Sequence, residues 1–123
     1  MRYLIPAGFL IAGIIHLLPV SGVLGAERLR TLYGVEIAGP DLAILMRHRA
    51  VMFGLLGLLL VAATFLPGLR WVGLIGGLGS AVAFLAIALA TGDYNDAMRR
   101  VVVADIVAIA ALAAAGLAMI ATG

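Results

Sequence analysis

Apolar runs long enough to cross a bilayer follow one another along this chain with almost nothing between them. They cover Tyr3 to Leu24, Ala50 to Leu66 (reaching back to about Leu42), Trp71 to Thr91, and Val101 to Thr122. An α-helix rising 1.5 Å per residue needs about 20 residues to cross about 30 Å of hydrocarbon, and each run has or nearly has that length. Strands of a transmembrane β-barrel are about 10 residues of alternating polarity, which these uninterrupted runs exclude. Of 123 residues, 65% are hydrophobic and 11% charged. A soluble domain of this size has too much surface to wrap in so few charges. The expected fold is therefore all-α: an integral membrane four-helix bundle with antiparallel, up-down topology. Its helices run about 3–24, 41–66, 70–91 and 97–122 in a single transmembrane domain, 1–123. The first run is read as a retained helix, because it is longer than a signal peptide's apolar region and His16 would be misplaced there.

Punctuation between the runs refines this picture. Pro6 falls in the first turn of the first helix, where a missing N–H is harmless. Pro19, near the far end, frees the carbonyl of Ile15 and predicts a bend or unwound turn beside His16. Ala26 to Tyr33 places Leu29, Leu32 and Tyr33 on one side and charges on the other, as in a short interfacial helix ended by Gly34. Gly39-Pro40-Asp41 starts the second span, and Pro67-Gly68 makes a very short turn to the third. In the third span Gly73, Gly76, Gly77, Gly79 and Ser80 form small-xxx-small pairs that let helix backbones approach in lipid. They serve packing within the chain or a seam to a second copy or a membrane-complex partner. Asp93, Asn95 and Asp96 are candidates to cap the fourth span.

Cysteine is absent, which removes disulfides, thiolate metal sites and thiol nucleophiles. All eight basic residues are arginine, as GC-rich codon usage produces. The sequence pI near 9.7 reflects loop arginines facing phospholipid headgroups, since no basic patch with interleaved aromatics is present to hold nucleic acid. Arginines concentrate in the first and third loops, so the positive-inside rule places both termini outside the cytoplasm.

The few ionisable residues inside the spans share one depth. His16 lies about 10 Å from the end of the first helix, while Arg47, His48, Arg49 and Asp105 lie comparably far along the second and fourth. Burying such groups in hydrocarbon costs about 2.5–3.5 kcal/mol each on insertion scales, so they must pair, reach water or bind something. At 100° per residue, Arg47 shares a face with Ala50, Gly54, Gly57 and Val61, a small-residue face expected to pack inward. Arg49 points roughly 200° away and is expected to snorkel or pair at the rim. Asp105 shares its face with Ala108, Ile109, Leu112 and Gly116, and His16 shares one with Ile5, Phe9, Ala12 and Gly13. Tyr94, in the third loop, completes the candidate polar group.

Several chemistries fit this cluster. Arg47 and Asp105 could form a structural ion pair, with His16 bonded to the carbonyl freed by Pro19. The excess of cations over one acid could hold a polar or anionic group of a lipophilic ligand, a quinone among them. His16 and His48 could ligate a b-type haem, or act as general acid/base beside Arg47 in a membrane enzyme. A scaffold subunit with a purely structural cluster is the remaining reading. No metal-ligand HExxH, nucleotide loop or GxSxG elbow is present.

Two segments carry a family likeness: Gly8-Phe-Leu-Ile-Ala-Gly-Ile-Ile-His16, and Leu32-Tyr-Gly-Val-Glu with Pro40-Asp-Leu-Ala-Ile-Leu-Met-Arg-His-Arg-Ala-Val-Met-Phe-Gly54. They resemble the DoxX-like group of small bacterial four-helix membrane proteins, especially its functionally unassigned members. The resemblance covers most of the chain and implies a four-helix bundle in the cytoplasmic membrane. Some members of that group accompany quinone-linked sulfur oxidation, and others are redox or maturation partners. This chain lacks the cysteine pairs of the thiol-redox members.

Overall fold

Proline and glycine set the helix boundaries. The computed structural model describes residues 3–122, so Arg2, counted in the charge balance, lies outside the described residues. Helix α1 spans Leu4–Leu17 and then tightens into a 3-10 segment, Leu18–Leu24. Pro19 has no N–H to give the Ile15 carbonyl. The Leu18 N–H reaches back to both Ile14 and Ile15 instead, so the tightened turn itself satisfies that carbonyl. The expectation that His16 would take it is overturned.

A short helix, α2, covers Ala26–Tyr33 and stops at Gly34, whose φ of 65° is the left-handed conformation that terminates helices. The Gly34 N–H closes on the Arg30 carbonyl at 2.7 Å. Leu29 and Tyr33 are buried and Leu32 half-buried, so the apolar side of α2 packs onto the protein. It rests on the 3-10 segment and on α5.

Helix α3, Pro40–Phe65, begins with proline at its first position, where the ring's φ is already helical. A single 3-10 turn, Pro67–Leu69, connects it to α4, Arg70–Thr91. Arg70 secures this corner by donating to the carbonyls of Ala63 and Thr64, each at 3.0 Å. These are among the carbonyls a helix end leaves unpaired. Helix α5 spans Asp96–Thr122, and Asn95, among the three capping candidates, accepts the Met98 N–H at 2.7 Å. No strand occurs among the described residues.

The four long helices form the bundle the apolar runs require, with α1 packed most extensively against α3 and α5, and α4 against α5 and α3. Glycine permits the closest contacts. A Cβ at Gly13 would meet Val61 Cγ2 at 2.8 Å, and one at Gly8 would meet the Ala111 carbonyl oxygen at 2.5 Å. Phe9, Leu60, Leu74 and Leu112 fill the centre between buried alanines. Gly73 and Gly77 of α4 are used here too, facing Phe9 and Ala63, and Leu112 and Leu60.

Four segments, Leu4–Leu24, Pro40–Phe65, Pro67–Thr91 and Asp96–Thr122, are long and apolar enough to span a membrane. Their outward faces expose large side chains such as Leu55, Leu58, Ile75, Ile87 and Leu117. So extensive an apolar exterior is compatible with hydrocarbon and ill suited to water.

Candidate functional site

The polar residues of α1 and α5 extend the same stripes that build the core. On α1 the buried positions are Gly8, Phe9, Ala12, Gly13 and His16, so the histidine is one more turn of the inward face. On α5, Val102, Asp105, Ala108 and Leu112 do the same. His16 is 1% exposed and Asp105 6%. Both side chains line one partly open cavity of about 300 Å³ at the end of the bundle covered by α2.

The histidine is held in a defined tautomer. Its Nδ1 lies 2.8 Å from the carbonyl oxygen of Ala12, one turn back on the same helix. A carbonyl only accepts, so Nδ1 carries the proton. Nε2 is buried and has no hydrogen-bond partner among the described residues. In the neutral ring it is a bare lone pair, a single acceptor within an apolar shell. Asp105 makes no ion pair among the described residues, and Arg49 lines the same cavity.

Arg49 is where expectation and structure part. Its guanidinium sits over the rings of Phe53, Tyr33 and Phe84, at 4.5, 5.0 and 5.7 Å from their centroids, and donates to the Tyr33 hydroxyl. These rings come from α3, α2 and α4, so one side chain joins three helices through the attraction of a cation for aromatic faces. Phe53 also tilts against His16, with ring centroids 5.7 Å apart. Arg49 lines the cavity.

Arg47, expected in the interior and paired with Asp105, is exposed, and its Nε donates to the Val23 carbonyl at 2.8 Å. The small-residue face of α3 does pack inward: Ala50 and Gly57 are buried against α1 and its 3-10 extension. Small residues mark where two backbones approach closest, which leaves no room for a guanidinium. The cavity opens beside the stripe of larger residues, Arg49, Phe53, Leu56 and Leu60, spaced four, three and four apart. That spacing places Arg49 and Phe53 on one side of α3.

His48 is exposed and Tyr94 half-buried, and neither lines the cavity. A bis-histidine haem needs two imidazoles at one site. Only His16 is there, so the residues present do not fit that group. No cluster of His, Asp and Glu suited to a metal ion occurs among the described residues.

Arg28, Arg100 and Thr31, all exposed, also line the cavity, together with Tyr33. Arg28 is oriented by its bond to Ser21 Oγ, at 3.0 Å. None of these four was singled out from sequence as a site residue, because loop arginines and short helices carry no sign of what lies beneath them. Asn95 fixes this roof: its Nδ2 donates to the carbonyls of Tyr33 and Gly34 at 3.0 and 3.1 Å, while its Oδ1 caps α5. The arrangement can hold a group that takes donation from arginine and donates to an imidazole nitrogen, with an apolar body against Ile15, Leu18, Pro19 and Val101. Compared with known protein families, with characterised proteins and with solved structures, the chain matches none.

Proposed function

We propose that this chain is a multi-pass protein of the bacterial cytoplasmic membrane that binds the polar head of a lipophilic small molecule, in the cavity lined by His16, Arg49 and Asp105. The observation that carries the proposal is the buried, partnerless Nε2 of His16 in a cavity wall. Leaving a buried polar atom unsatisfied costs about 1–3 kcal/mol. A ligand that fills the valence removes that cost. Arginine outnumbers acid at the site, with Arg28, Arg49 and Arg100 against Asp105, which favours a head with negative charge or acceptor oxygens. A quinone-linked role is one instance of this reading through the quinol form, whose hydroxyls both donate and accept. DoxX-like kinship belongs to the proposal and rests on the two segments that carry it. Helix α2 is taken to lie at the membrane surface, and the arginine-rich loops at the cytoplasmic face.

The test is to purify the wild-type chain, His16→Gln and His48→Gln in mild detergent and measure helicity, absorption and the mass spectrum of co-purified small molecules. A stoichiometric lipophilic compound should accompany wild type and His48→Gln and be lost from a folded His16→Gln. A glutamine amide can bond to Ala12 but does not restore an imidazole lone pair at the Nε2 position. An identical small-molecule complement in all three proteins would refute the proposal.

A further inference from the structure

A second cavity, of about 400 Å³, runs along the outer side of α3 and shares two of its walls, Arg49 and Phe53, with the first. Its other lining residues are Met52, Leu55, Leu56 and Leu59 from α3 and Ser80 from α4. Met52 and Leu55 are exposed on the apolar exterior. The furrow persists because α4 presents small residues here. A Cβ at Gly76 would meet only Leu56 of the furrow wall, and Ser80, one turn on, is itself a lining residue. The two cavities differ sharply in chemistry. One holds an unpartnered imidazole nitrogen, a carboxyl and three arginines; the other is hydrocarbon apart from Ser80 and the shared arginine.

We infer that the ligand is a single-chain amphiphile with a hydroxyl head, whose head occupies the polar cavity and whose hydrocarbon chain leaves sideways along the α3–α4 furrow, past Arg49 and Phe53. This rests on the proposed binding role and names the ligand class. The hydroxyl follows from the tautomer. With Nδ1 committed to the Ala12 carbonyl, the neutral ring offers only an acceptor, so the head must present a donor there. A hydroxyl oxygen donates its proton to Nε2 and still accepts from the guanidinium of Arg49. A carbonyl or a fully deprotonated acid head can only accept, and leaves Nε2 unsatisfied; an ammonium head can only donate, and is repelled by the arginines.

The chain follows from the walls the two cavities share. The first cavity, at about 300 Å³, is at the small end of ligand sites, which span roughly 300–1,000 Å³. A long chain cannot be contained in it. The adjoining space is the furrow, which faces the apolar exterior, so a tail passing into it leaves the polar lining undisturbed. Arg49 and Phe53 then form the partition. The guanidinium lies over the Phe53 ring, 4.5 Å from its centroid, and carries the N–H donors for the head.

The experiment measures binding of para-butylphenol and para-dodecylphenol to the full chain in lipid nanodiscs, with phenol concentration expressed as mole fraction in the lipid. That scale removes the difference in partitioning into the bilayer. Wild type should prefer the long phenol, and Ser80→Phe, which fills the furrow, should cut that preference several-fold while leaving the short phenol unchanged, since in lipid the tail gains from packing against the furrow walls and not from leaving water. Leu59→Phe fills the furrow from the α3 side and gives the same readout should Ser80→Phe fail to fold. If both phenols bind through His16 and neither substitution changes their ratio, the tail path is wrong and the head site stands. If neither phenol binds in a manner that His16→Gln abolishes, the hydroxyl ligand class is wrong, and the head site loses its support with it.

Discussion

Replacing Arg49 by glutamine, with Arg47→Gln beside it, weighs the two arginines that the sequence ranks one way and the structure the other. Arg49 donates to the Tyr33 hydroxyl and lies over three rings. A hydrogen bond from a charged donor is worth about 1.5–3 kcal/mol. A cation over an aromatic face adds about 0.5–2 kcal/mol according to desolvation, and three rings around one guanidinium do not add independently. Because Arg49 is partly exposed, the lower halves of these ranges apply, for a total near 2–3.5 kcal/mol. Arg47 is a charged donor too, but it is exposed, and water competes for its one bond, to the Val23 carbonyl, which is therefore worth about 0.5–1.5 kcal/mol. The difference, about 0.5–3 kcal/mol, is roughly a 2- to 150-fold change in the folding equilibrium. It is read from reversible unfolding in mixed micelles followed by far-ultraviolet circular dichroism. Asp105→Asn combined with Arg49→Gln should cost less than the sum of the two alone, because these two groups of opposite charge line one cavity. Equal losses from Arg47→Gln and Arg49→Gln, or coupling of Asp105 to Arg47 instead, would refute the assignment of Arg49 to the interior.

Glycine substitutions give opposite signs at two sites in the same bundle. Gly8→Ala puts a methyl against the Ala111 carbonyl oxygen and Ala115 Cβ, so α1 and α5 must separate, at a cost of about 1–3 kcal/mol. Gly79→Ala meets nothing and should stabilise α4 by up to about 1 kcal/mol on helix propensity; the same micelle unfolding compares them, and equal effects would contradict the packing described. Asn95→Ala removes the two bonds that hold the end of α2 and the cap of α5. It should cost about 1–2 kcal/mol and raise proteolysis within α2, measured by limited digestion in detergent, and an unchanged digestion rate would remove Asn95 from that role.

The sequence by itself determined the architecture, because in these spans length and hydropathy leave few alternatives. Backbone groups of an apolar run must be satisfied within the helix, and Pro40, Pro67 and Gly34 mark ends through φ and missing N–H groups, which are local properties. The inward direction of His16 and Asp105 was legible for a related reason. Each lies in register with a stripe of small or apolar residues on its own helix, and both stripes are buried. Pro19 signalled a break, but not that the chain would tighten to a 3-10 turn and satisfy Ile15 from Leu18. Tertiary structure alone decided which arginine enters the cavity. Helical angle places Arg47 and Arg49 on opposite sides of α3 but does not say which side meets a neighbouring backbone and which meets open space. That depends on where Tyr33, Phe53 and Phe84 converge from three helices, and on Asn95 holding α2 over the cavity. These contacts join residues far apart in the chain, and no local pattern encodes them.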